Sequence, residues 1–178
     1  MKSIVKNKNA LILDATAGNR AMWKKNKSPP NVVFMDREVG LYINPDVFCV
    51  WQYLPFRNKV FTCVLFDPPH DKFSQSSVHM NPKGWHEPRI KNGRKIGGTF
   101  WGSLEKGWYG VFFKAQKEFA RVSSRLCLKW NNTKHSLEYV LRVFEDWREI
   151  YRTEYRTRKR RGKTRTWWVT FLANNSSI

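Results

Sequence analysis

Three unbroken runs of apolar residues divide the first 66 positions of the chain, at residues 10–13, 32–35 and 60–66. Polar connections separate these runs. A strand that is buried on both faces of a parallel sheet has this pattern, so each run predicts a central strand. A weaker run at residues 47–50 predicts a further strand of the same kind.

Helical periodicity begins after residue 108. Apolar side chains recur there every three or four positions, at Phe112, Ala115, Phe119 and Val122. This spacing predicts an amphipathic helix, and residues 124–130 then predict another buried strand. A second amphipathic helix is predicted over residues 137–144, with Ser136 as its N-cap. Strands that alternate with helices are typical of an α/β fold.

The pattern changes to a period of two at Tyr151. Residues 151–157 alternate Tyr or Thr with charged side chains, and residues 166–172 form a further strand-like run. The two segments predict a β-hairpin. Between residues 147 and 166 there are nine Lys or Arg against two Glu, so the positive charge is concentrated on this hairpin and its tip.

The segment from residue 71 to residue 108 is polar and rich in Gly and Pro. It predicts a long loop, and loops of this length in compact domains are usually functional. No repeat or low-complexity linker divides the chain. Residues 1–178 are therefore predicted to form a single domain, with a long substrate-side loop at about 71–108.

Composition narrows the class of protein. Hydrophobic residues make up 41% of the 178 positions and aromatic residues 15%, which excludes a disordered or fibrous chain. The formal net charge is +19. A folded domain tolerates so much self-repulsion most readily when its partner is a polyanion, so nucleic acid is the first expectation. A merely basic surface and an anionic membrane partner are less favoured explanations of the charge.

The cysteine and histidine residues predict neither disulfides nor a metal site. Three cysteines in apolar stretches are too few and too widely spaced for a disulfide framework or a zinc cluster: Cys49, Cys63 and Cys127. The histidines at 70, 79 and 86 have no cysteine or acidic partner at ligand spacing. Residues 1–9 are polar and basic, and no run reaches the ~18 apolar residues of a membrane span, so a cytoplasmic protein without a membrane partner is expected.

An aspartate follows each of the three strong apolar runs directly, at positions 14, 36 and 67. The carboxyl ends of parallel strands meet at one edge of a sheet, where α/β proteins bind their ligands. Asp14, Asp36 and Asp67 are therefore predicted to converge on one site.

Two segments around these aspartates carry a resemblance to a known family. Residues 12–19, Ile-Leu-Asp-Ala-Thr-Ala-Gly-Asn, resemble the first motif of Rossmann-like S-adenosylmethionine-dependent methyltransferases. Residues 66–70, Phe-Asp-Pro-Pro-His, are similar to the Asp-Pro-Pro-aromatic motif of those members that methylate exocyclic amino groups of bases, with adenine N6 as the pattern's usual target. The resemblance implies an α/β fold with a mostly parallel Rossmann-like sheet, helices on both faces and a C-terminal antiparallel hairpin. Its sixth strand would be parallel to the others and its seventh antiparallel.

The resemblance also implies where S-adenosyl-L-methionine binds. The small residues after Asp14 would let the backbone approach the methionine part, whose amino group would pair with Asp14 or nearby carbonyls. Asp36 is favoured as the partner of the ribose hydroxyls, with Glu38 as the alternative. Before the family-like Leu-Pro-Phe at 54–56, Gln52 would accept from adenine and Trp51 would stack on it, or Trp51 would belong to the core. The full cofactor-binding set is Asp14, Ala15, Thr16, Ala17, Gly18, Asn19, Asp36, Arg37, Glu38, Trp51, Gln52 and Asp67. Asn19 and Arg20 stand where another glycine is common in the family.

The catalytic set implied by the resemblance is Asp67, Pro68, Pro69 and His70. The lone pair of an exocyclic amine is delocalised into the ring, so acceptors on its N–H groups are needed to direct the lone pair at the methyl group. The Asp67 carboxylate and the Pro68 carbonyl would be these acceptors. Pro68 and Pro69 would stiffen the turn, and His70 would stack on the flipped base.

Basic and aromatic residues predict the nucleic-acid contacts. The hairpin tip would lie at the carboxyl edge of the sheet and hold the phosphate backbone, while the long loop mixes cations with tryptophans. The predicted contacts are Arg156, Arg158, Lys159, Arg160, Arg161, Lys163, Trp85, Arg94 and Lys95.

The sequence therefore predicts a cytoplasmic methyltransferase that modifies a base amine, adenine N6 first, in RNA or DNA. RNA is slightly favoured, because no separate recognition domain of the kind carried by sequence-specific DNA enzymes is evident. Guanine N2 and cytosine N4 stay open as target amines. Two different functions also stay open: a catalytically inactive nucleic-acid-binding protein on the same fold, and a methyltransferase for a protein or small-molecule amine.

Overall fold

A seven-stranded sheet forms the centre of the protein. The computed structural model describes residues 11–23, 26–37, 41, 43–68, 89–91, 94–96, 108–132, 135–156 and 165–174. In chain order the strands are β1 (Ile12–Asp14), β2 (Val32–Asp36), β3 (Val47–Phe48), β4 (Cys63–Phe66), β5 (Arg89–Lys91), β6 (Arg94–Ile96), β7 (Arg125–Asn131), β8 (Trp147–Arg156) and β9 (Arg165–Ala173). The described helices are α1 (Trp108–Val122), α2 (Leu137–Leu141) and a single 3-10 turn at Ala21–Trp23.

The strand order in the sheet is β3-β2-β1-β4-β7-β9-β8. The strands from β3 to β7 pair in parallel, whereas β9 is antiparallel to both of its neighbours. Since β8 and β7 are both antiparallel to β9, β8 runs in the same direction as the parallel strands β3, β2, β1, β4 and β7. The prediction of a mostly parallel sheet with a C-terminal antiparallel hairpin is confirmed.

The strongest apolar runs form the middle of the sheet. The first four residues of β2 are all buried, as a strand covered on both faces requires. The predicted strand at 60–66 is shorter than its apolar run, because regular pairing begins at Cys63 and Phe61 makes only an isolated bridge to Ser123. The weak run at 47–50 forms a strand of just two residues.

The main core lies on one face of the sheet, which we call the helix face. Leu13, Val33 and Met35 of β1 and β2 pack in this core with buried side chains of both α-helices. The other face, which we call the opposite face, has a small separate cluster of Ala17, Val32 and Phe34, with Trp23 against it. Among the described residues, both α-helices therefore lie on the helix face.

The expectation of helices on both faces is thus wrong for the described part of the chain. The connection from β1 to β2 contains the 3-10 turn instead of a helix among its described residues. Its backbone enters the left-handed region twice, at Gly18 with φ 48° and at Arg20 with φ 54°, and a right-handed helix cannot continue through such residues. Pro29 and Pro30 follow, and a residue that precedes a proline favours an extended backbone, which leads into β2.

The described parts of the 71–108 segment are not all loop. Strands β5 and β6 form a two-stranded antiparallel sheet, with Arg89 opposite Ile96 and Lys91 opposite Arg94. Helix α1 begins at Trp108, a turn before its first predicted apolar position at Phe112. Helix α2 ends at Leu141 rather than at 144.

The C-terminal hairpin is longer than predicted. Strand β8 begins at Trp147 and β9 ends at Ala173, and the last described pair before the turn joins Arg156 to Arg165. The register shifts between Glu149 and Tyr151. No helix in the described part of the chain is long and apolar enough to cross a membrane.

Candidate functional site

Three aspartates lie at neighbouring strand ends. Asp14 ends β1, Asp36 ends β2 and Asp67 follows β4, and β1 lies between the other two strands. The residue before each aspartate packs in the helix-face core, so the aspartates themselves lie on the opposite face. The negative charges of Asp67 and Asp36 both contribute to raising the pKa of Asp14, which requires the three groups to be close. The structure brings these three predicted residues together.

The site coincides with the point where the strand order reverses. The chain passes from β1 to β2 and β3 on one side, and then returns to place β4 on the other side of β1. In open α/β sheets, ligands bind outside the carboxyl ends of the strands at such a switch point. Here the turn after β1 and Asp67 lie at this switch point.

Backbone hydrogen bonds fix the turn after β1 to both neighbouring strands. The Ala15 N–H donates to the Leu65 carbonyl at 2.9 Å, and the Ala17 N–H donates to the Met35 carbonyl at 3.0 Å. Both alanine side chains are buried, Ala15 in the helix-face core and Ala17 in the cluster on the opposite face. The small residues of the motif therefore allow the turn to pack closely against the sheet.

Two side-chain contacts connect this turn to the other strand ends. The Thr16 hydroxyl accepts a hydrogen bond from the Asp67 N–H at 2.8 Å. The Asp36 carboxylate accepts one from the Gly18 N–H at 2.7 Å. Gly18 is in the left-handed region, and a Cβ built on it meets no atom within 4 Å. The turn thus presents open space at Gly18 while its ends are held in place.

Arg20, together with Asn19, stands where the methyltransferases that this motif resembles commonly have a glycine. Its backbone keeps the left-handed conformation that would favour glycine. Its buried guanidinium donates to the Lys27 and Asn44 carbonyls at 2.7 and 3.0 Å, and lies 3.8 Å from the centre of the Phe34 ring. Arg20 therefore organises the connection to β2, a role that the sequence alone did not indicate.

Asp14 is held within the protein. It is 1% exposed. One oxygen accepts from the Thr16 N–H at 3.1 Å and the other from the Trp23 indole N–H at 2.7 Å. Burial raises the pKa of Asp14 to about 6; the two hydrogen bonds act against this rise, and the charges of Asp67 and Asp36 add to it. Each carboxylate oxygen could still accept a second hydrogen bond, but the burial of Asp14 leaves almost no surface for a ligand, so nearby carbonyls are better placed to receive its amino group.

The raised pKa of Asp14 makes stability depend on pH. Because the folded protein binds this proton more tightly than the unfolded chain, the contribution is complete below pH 3.8 and is lost as the pH rises through about 6. At about 1.4 kcal/mol for each pH unit of pKa difference, the loss is about 3 kcal/mol. Asp14→Asn cannot titrate, so the difference in unfolding free energy between it and the wild type should change by this amount between about pH 4 and pH 7. Urea unfolding across that range measures it, and a pH-independent difference would contradict the assignment.

The residues after β2 are only partly described. Asp36 is half-buried, Arg37 is exposed and Asn19 is half-buried beside the turn. Glu38, the second predicted partner for ribose hydroxyls, lies outside the described residues.

Trp51 belongs to the packing of the core. Its ring meets Phe66 edge-on at 5.1 Å and Phe112 at 6.0 Å between centroids, and its indole N–H donates to the Ala15 carbonyl at 2.7 Å. Of its two predicted roles, Trp51 therefore takes the one in the core, although the same hydrogen bond also supports the turn after β1. Gln52 beside it is half-buried.

Helix α1 anchors the segment that carries Trp51 and Gln52. The Glu118 carboxylate accepts from the Leu54 N–H at 2.8 Å, and Arg121 donates to the Leu54 and Phe56 carbonyls at 2.9 and 2.7 Å. The hydrogen bond to Arg121 holds the pKa of Glu118 below its usual range. The backbone of the Leu-Pro-Phe segment is therefore fixed by hydrogen bonds to both members of an ion pair within the helix.

Asp67 forms the ion pair at the centre of the site. Its Oδ2 atom lies 2.5 Å from the Lys129 ammonium of β7. Its Oδ1 atom is buried and, within the described part of the chain, has no hydrogen-bond partner. A buried acceptor without a donor is costly, so such an atom in a crevice is suited to receive a donor from a ligand.

Lys129 was not predicted as a site residue. The predicted buried strand at residues 124–130 contains this lysine, and a lysine within such a run requires a partner for its charge. That requirement was the available signal. Strand β7 pairs with β4, so a lysine near its carboxyl end comes beside Asp67.

Several predicted residues lie outside what can be described. Of the catalytic set, Asp67 and Pro68 are described, whereas Pro69 and His70 lie outside the described residues. For Arg156, Arg94 and Lys95 the structure gives strand positions without side chains. The remaining predicted nucleic-acid contacts are all outside the described residues, namely Trp85, Arg158, Lys159, Arg160, Arg161 and Lys163. Because β8 runs parallel to β1 and β4, the described end of the hairpin at Arg156 lies toward the same edge as Asp14 and Asp67. In the described ranges, no three His, Cys, Asp or Glu side chains form a group that would hold a metal ion.

The comparison with known proteins adds no relative. The chain matches no protein-family model, and no curated protein sequence is significantly similar to it. The function is therefore argued from the residues of the site and their geometry.

Proposed function

We propose that the protein is an S-adenosyl-L-methionine-dependent methyltransferase that modifies an exocyclic amino group of a base in RNA or DNA, with adenine N6 as the favoured target. The observation that carries the proposal is the buried Oδ1 atom of Asp67 at the switch point of the sheet, which has no hydrogen-bond partner among the described residues. A carboxylate oxygen in that position can accept a hydrogen bond from a base amine. The sheet would then be a Rossmann-like methyltransferase sheet whose described α-helices lie on one face.

The residues around the switch point fit the cofactor. The turn at 15–18 would hold the methionine part, with the open space at Gly18 facing it. The half-buried Asp36 would hold the ribose hydroxyls. When bound, the cofactor supplies a methyl group on a sulfonium that a nitrogen lone pair can attack.

The protein's part in the reaction is to orient the amine. Asp67 Oδ1 and the Pro68 carbonyl would each accept from the amine N–H groups, which turns the lone pair out of the ring plane. Lys129 holds the other oxygen of Asp67, and Thr16 accepts from its backbone N–H. The acceptor is therefore fixed before the base arrives, and such preorganisation is the largest part of most catalytic effects.

The charge supports nucleic acid as the substrate. The formal net charge of +19 favours a polyanion, and the last described pair of the hairpin, Arg156 with Arg165, lies toward the edge of the sheet that carries Asp67. RNA is slightly favoured over DNA. A cytoplasmic location belongs to this proposal and suits a chain whose three cysteines are free.

A second candidate is a nucleic-acid-binding protein without activity on the same fold. The close ion pair between Asp67 and Lys129 favours it, because a carboxylate held by a lysine can serve structure alone. The burial of Asp14, with one protein donor on each oxygen, points the same way.

Incubation with radiolabelled cofactor separates the two candidates. We expect transfer of label to one of separate pools of tRNA, rRNA and DNA, recovered as an N6-methylated adenine nucleoside after digestion. Label on guanine N2 or cytosine N4 would keep the reaction class and change the base. Label on protein alone would exclude a nucleic-acid substrate.

Calorimetry with the unlabelled cofactor completes the comparison. Absence of binding at millimolar cofactor, together with retained binding of nucleic acid, would establish the inactive binding protein instead. Glu145→Ala is a suitable control for both measurements, because it removes an exposed carboxylate that pairs with Lys117 and is not among the site residues.

A further inference from the structure

The hairpin separates its side chains by chemistry. On β8, Arg152 and Glu149 form an ion pair at 2.7 Å, and Arg152 also contacts Glu138 of α2 at 3.0 Å. These side chains therefore lie on the helix face. Tyr151 and Tyr155 alternate with them, on the opposite face, and are 61% and 62% exposed.

The register places further residues on the opposite face beside these tyrosines. Trp168 of β9 is opposite Thr153 on one side and opposite Lys129 of β7 on the other. The Lys129 ammonium lies 6.0 Å from the centre of the Trp168 ring and contacts Asp67 on its other side. A continuous row of side chains thus leads across the sheet from the edge strand to Asp67.

The charge on this face is of one sign. Arg148 and Arg125 are exposed and flank Leu172, which pairs with both. The two glutamates of β8 lie opposite Phe171 and Trp167, whose side chains belong to the helix face. Across the described residues of β7, β8 and β9, the opposite face therefore presents aromatic rings and cations without an acidic side chain.

The dimensions fit a strand of unpaired nucleotides. From β8 to β4 there are three strand spacings, so the row spans about 14 Å at roughly 4.8 Å between strands. Proteins bind single-stranded nucleic acid by stacking bases on exposed aromatic side chains within a positively charged surface. Sheets with exposed aromatic rings serve this purpose in RNA-binding modules.

We propose that Tyr151, Tyr155 and Trp168 form a stacking surface for single-stranded nucleic acid on the opposite face of the sheet. The surface holds the unpaired bases that flank the target, and its cations hold their phosphates. This inference rests on the proposed nucleic-acid substrate, although binding to the surface does not require methyl transfer. A duplex cannot offer its base faces to these rings, so the surface selects single strands.

Fluorescence anisotropy with short labelled oligo(U), oligo(dT) and a duplex of equal length tests the inference on the full chain. Tyr151→Thr and Tyr155→Thr remove a ring while keeping a residue that favours strands. Each is expected to weaken single-strand binding roughly tenfold, and both together more strongly. Tyr151→Phe and Tyr155→Phe keep the ring and should bind like the wild type. Tyr139→Ala on α2, which is 42% exposed, is the control on the helix face.

The salt dependence provides a readout that a loss of folding would not mimic. The Thr variants should keep the wild-type slope of log K against log salt, because they lose no phosphate contact. Arg125→Ala and Arg148→Ala should each reduce that slope by about one. Circular dichroism on every variant confirms that the fold is retained.

Four results would overturn the inference. The first is that the Thr variants bind single strands as tightly as the wild type, while methyl transfer persists; this leaves the proposed function standing. Equal affinity of the wild type for duplex and single strand is the second. The third is a change from dimer to monomer in the Thr variants without a change in binding, which would make the face a contact between copies of the chain. If the wild type neither binds nucleic acid nor transfers label to it, the proposed function fails together with the inference.

Discussion

Asp67→Ala is expected to lower kcat by roughly a thousandfold while the affinity for S-adenosyl-L-methionine changes only a few-fold. The substitution removes the Oδ1 acceptor that would orient the amine, and it leaves the turn after β1 intact. Because the backbone N–H of residue 67 still donates to the Thr16 hydroxyl, the backbone of the site should keep its position. Single-turnover transfer of label and calorimetric titration of the cofactor measure the two quantities.

Glu145→Ala serves as the matched control, since it removes a carboxylate that pairs with Lys117 at the surface. It should leave both quantities unchanged. An equal loss of turnover and cofactor affinity in Asp67→Ala would show that Asp67 holds the cofactor rather than the amine. Full activity of that variant would exclude Asp67 from the reaction.

Phe66→Ala is expected to destabilise the protein by about 3–5 kcal/mol, the range for removing a fully buried aromatic ring. Phe66 directly precedes Asp67 and is 1% exposed. Its ring meets Trp51, Phe112 and Phe119 edge-on, with the nearest centroid at 4.9 Å. The substitution leaves a cavity beneath the site and removes three aromatic contacts.

Phe48→Ala is the comparison for this second substitution. Phe48 also lies at the end of a strand, but it is 53% exposed, so its removal should cost less than about 0.5 kcal/mol. Urea unfolding of both variants at neutral pH gives the two values. Similar losses for the two phenylalanines would mean that β4 is not the centre of the core.

The sheet was predictable because its central strands are buried on both faces. Residues 32–35 alternate between the two clusters that cover the sheet, so all four have to be apolar, and the run in the sequence shows this directly. The convergence of Asp14, Asp36 and Asp67 was predictable as well, since parallel strands end at one edge. The first residues of β4 and α1, Cys63 and Trp108, were not predictable, because apolar or aromatic residues occur on both sides of each boundary.

The helices on the opposite face were predicted from family resemblance rather than from periodicity. Between β1 and β2 the described residues show no helical spacing of apolar side chains, and the backbone turns left-handed at Arg20. Arginine takes this conformation because its guanidinium is fixed by three carbonyl or hydroxyl partners. Tertiary contacts of this kind cannot be derived from local preference.

The ion pair at Asp67 shows the limit of strand patterns for site prediction. The acid was predicted from its position, but its cation comes from Lys129, 62 residues later. Only the pairing of β4 with β7 brings the two together. Strand patterns identify groups at the ends of strands, whereas partners across strands depend on the strand order.

The outer part of the sheet can form only after β9 has been synthesised, because β8 joins the sheet through β9. Strand β8 is synthesised before β9, yet among the described strands it pairs with β9 at the margin of the sheet. The ten residues of β8 therefore have unpaired backbone groups until residues 165–173 pair with them, and until then they are open to pairing with other chains. The irregular register near Tyr151 and the charged side chains of β8 oppose such pairing.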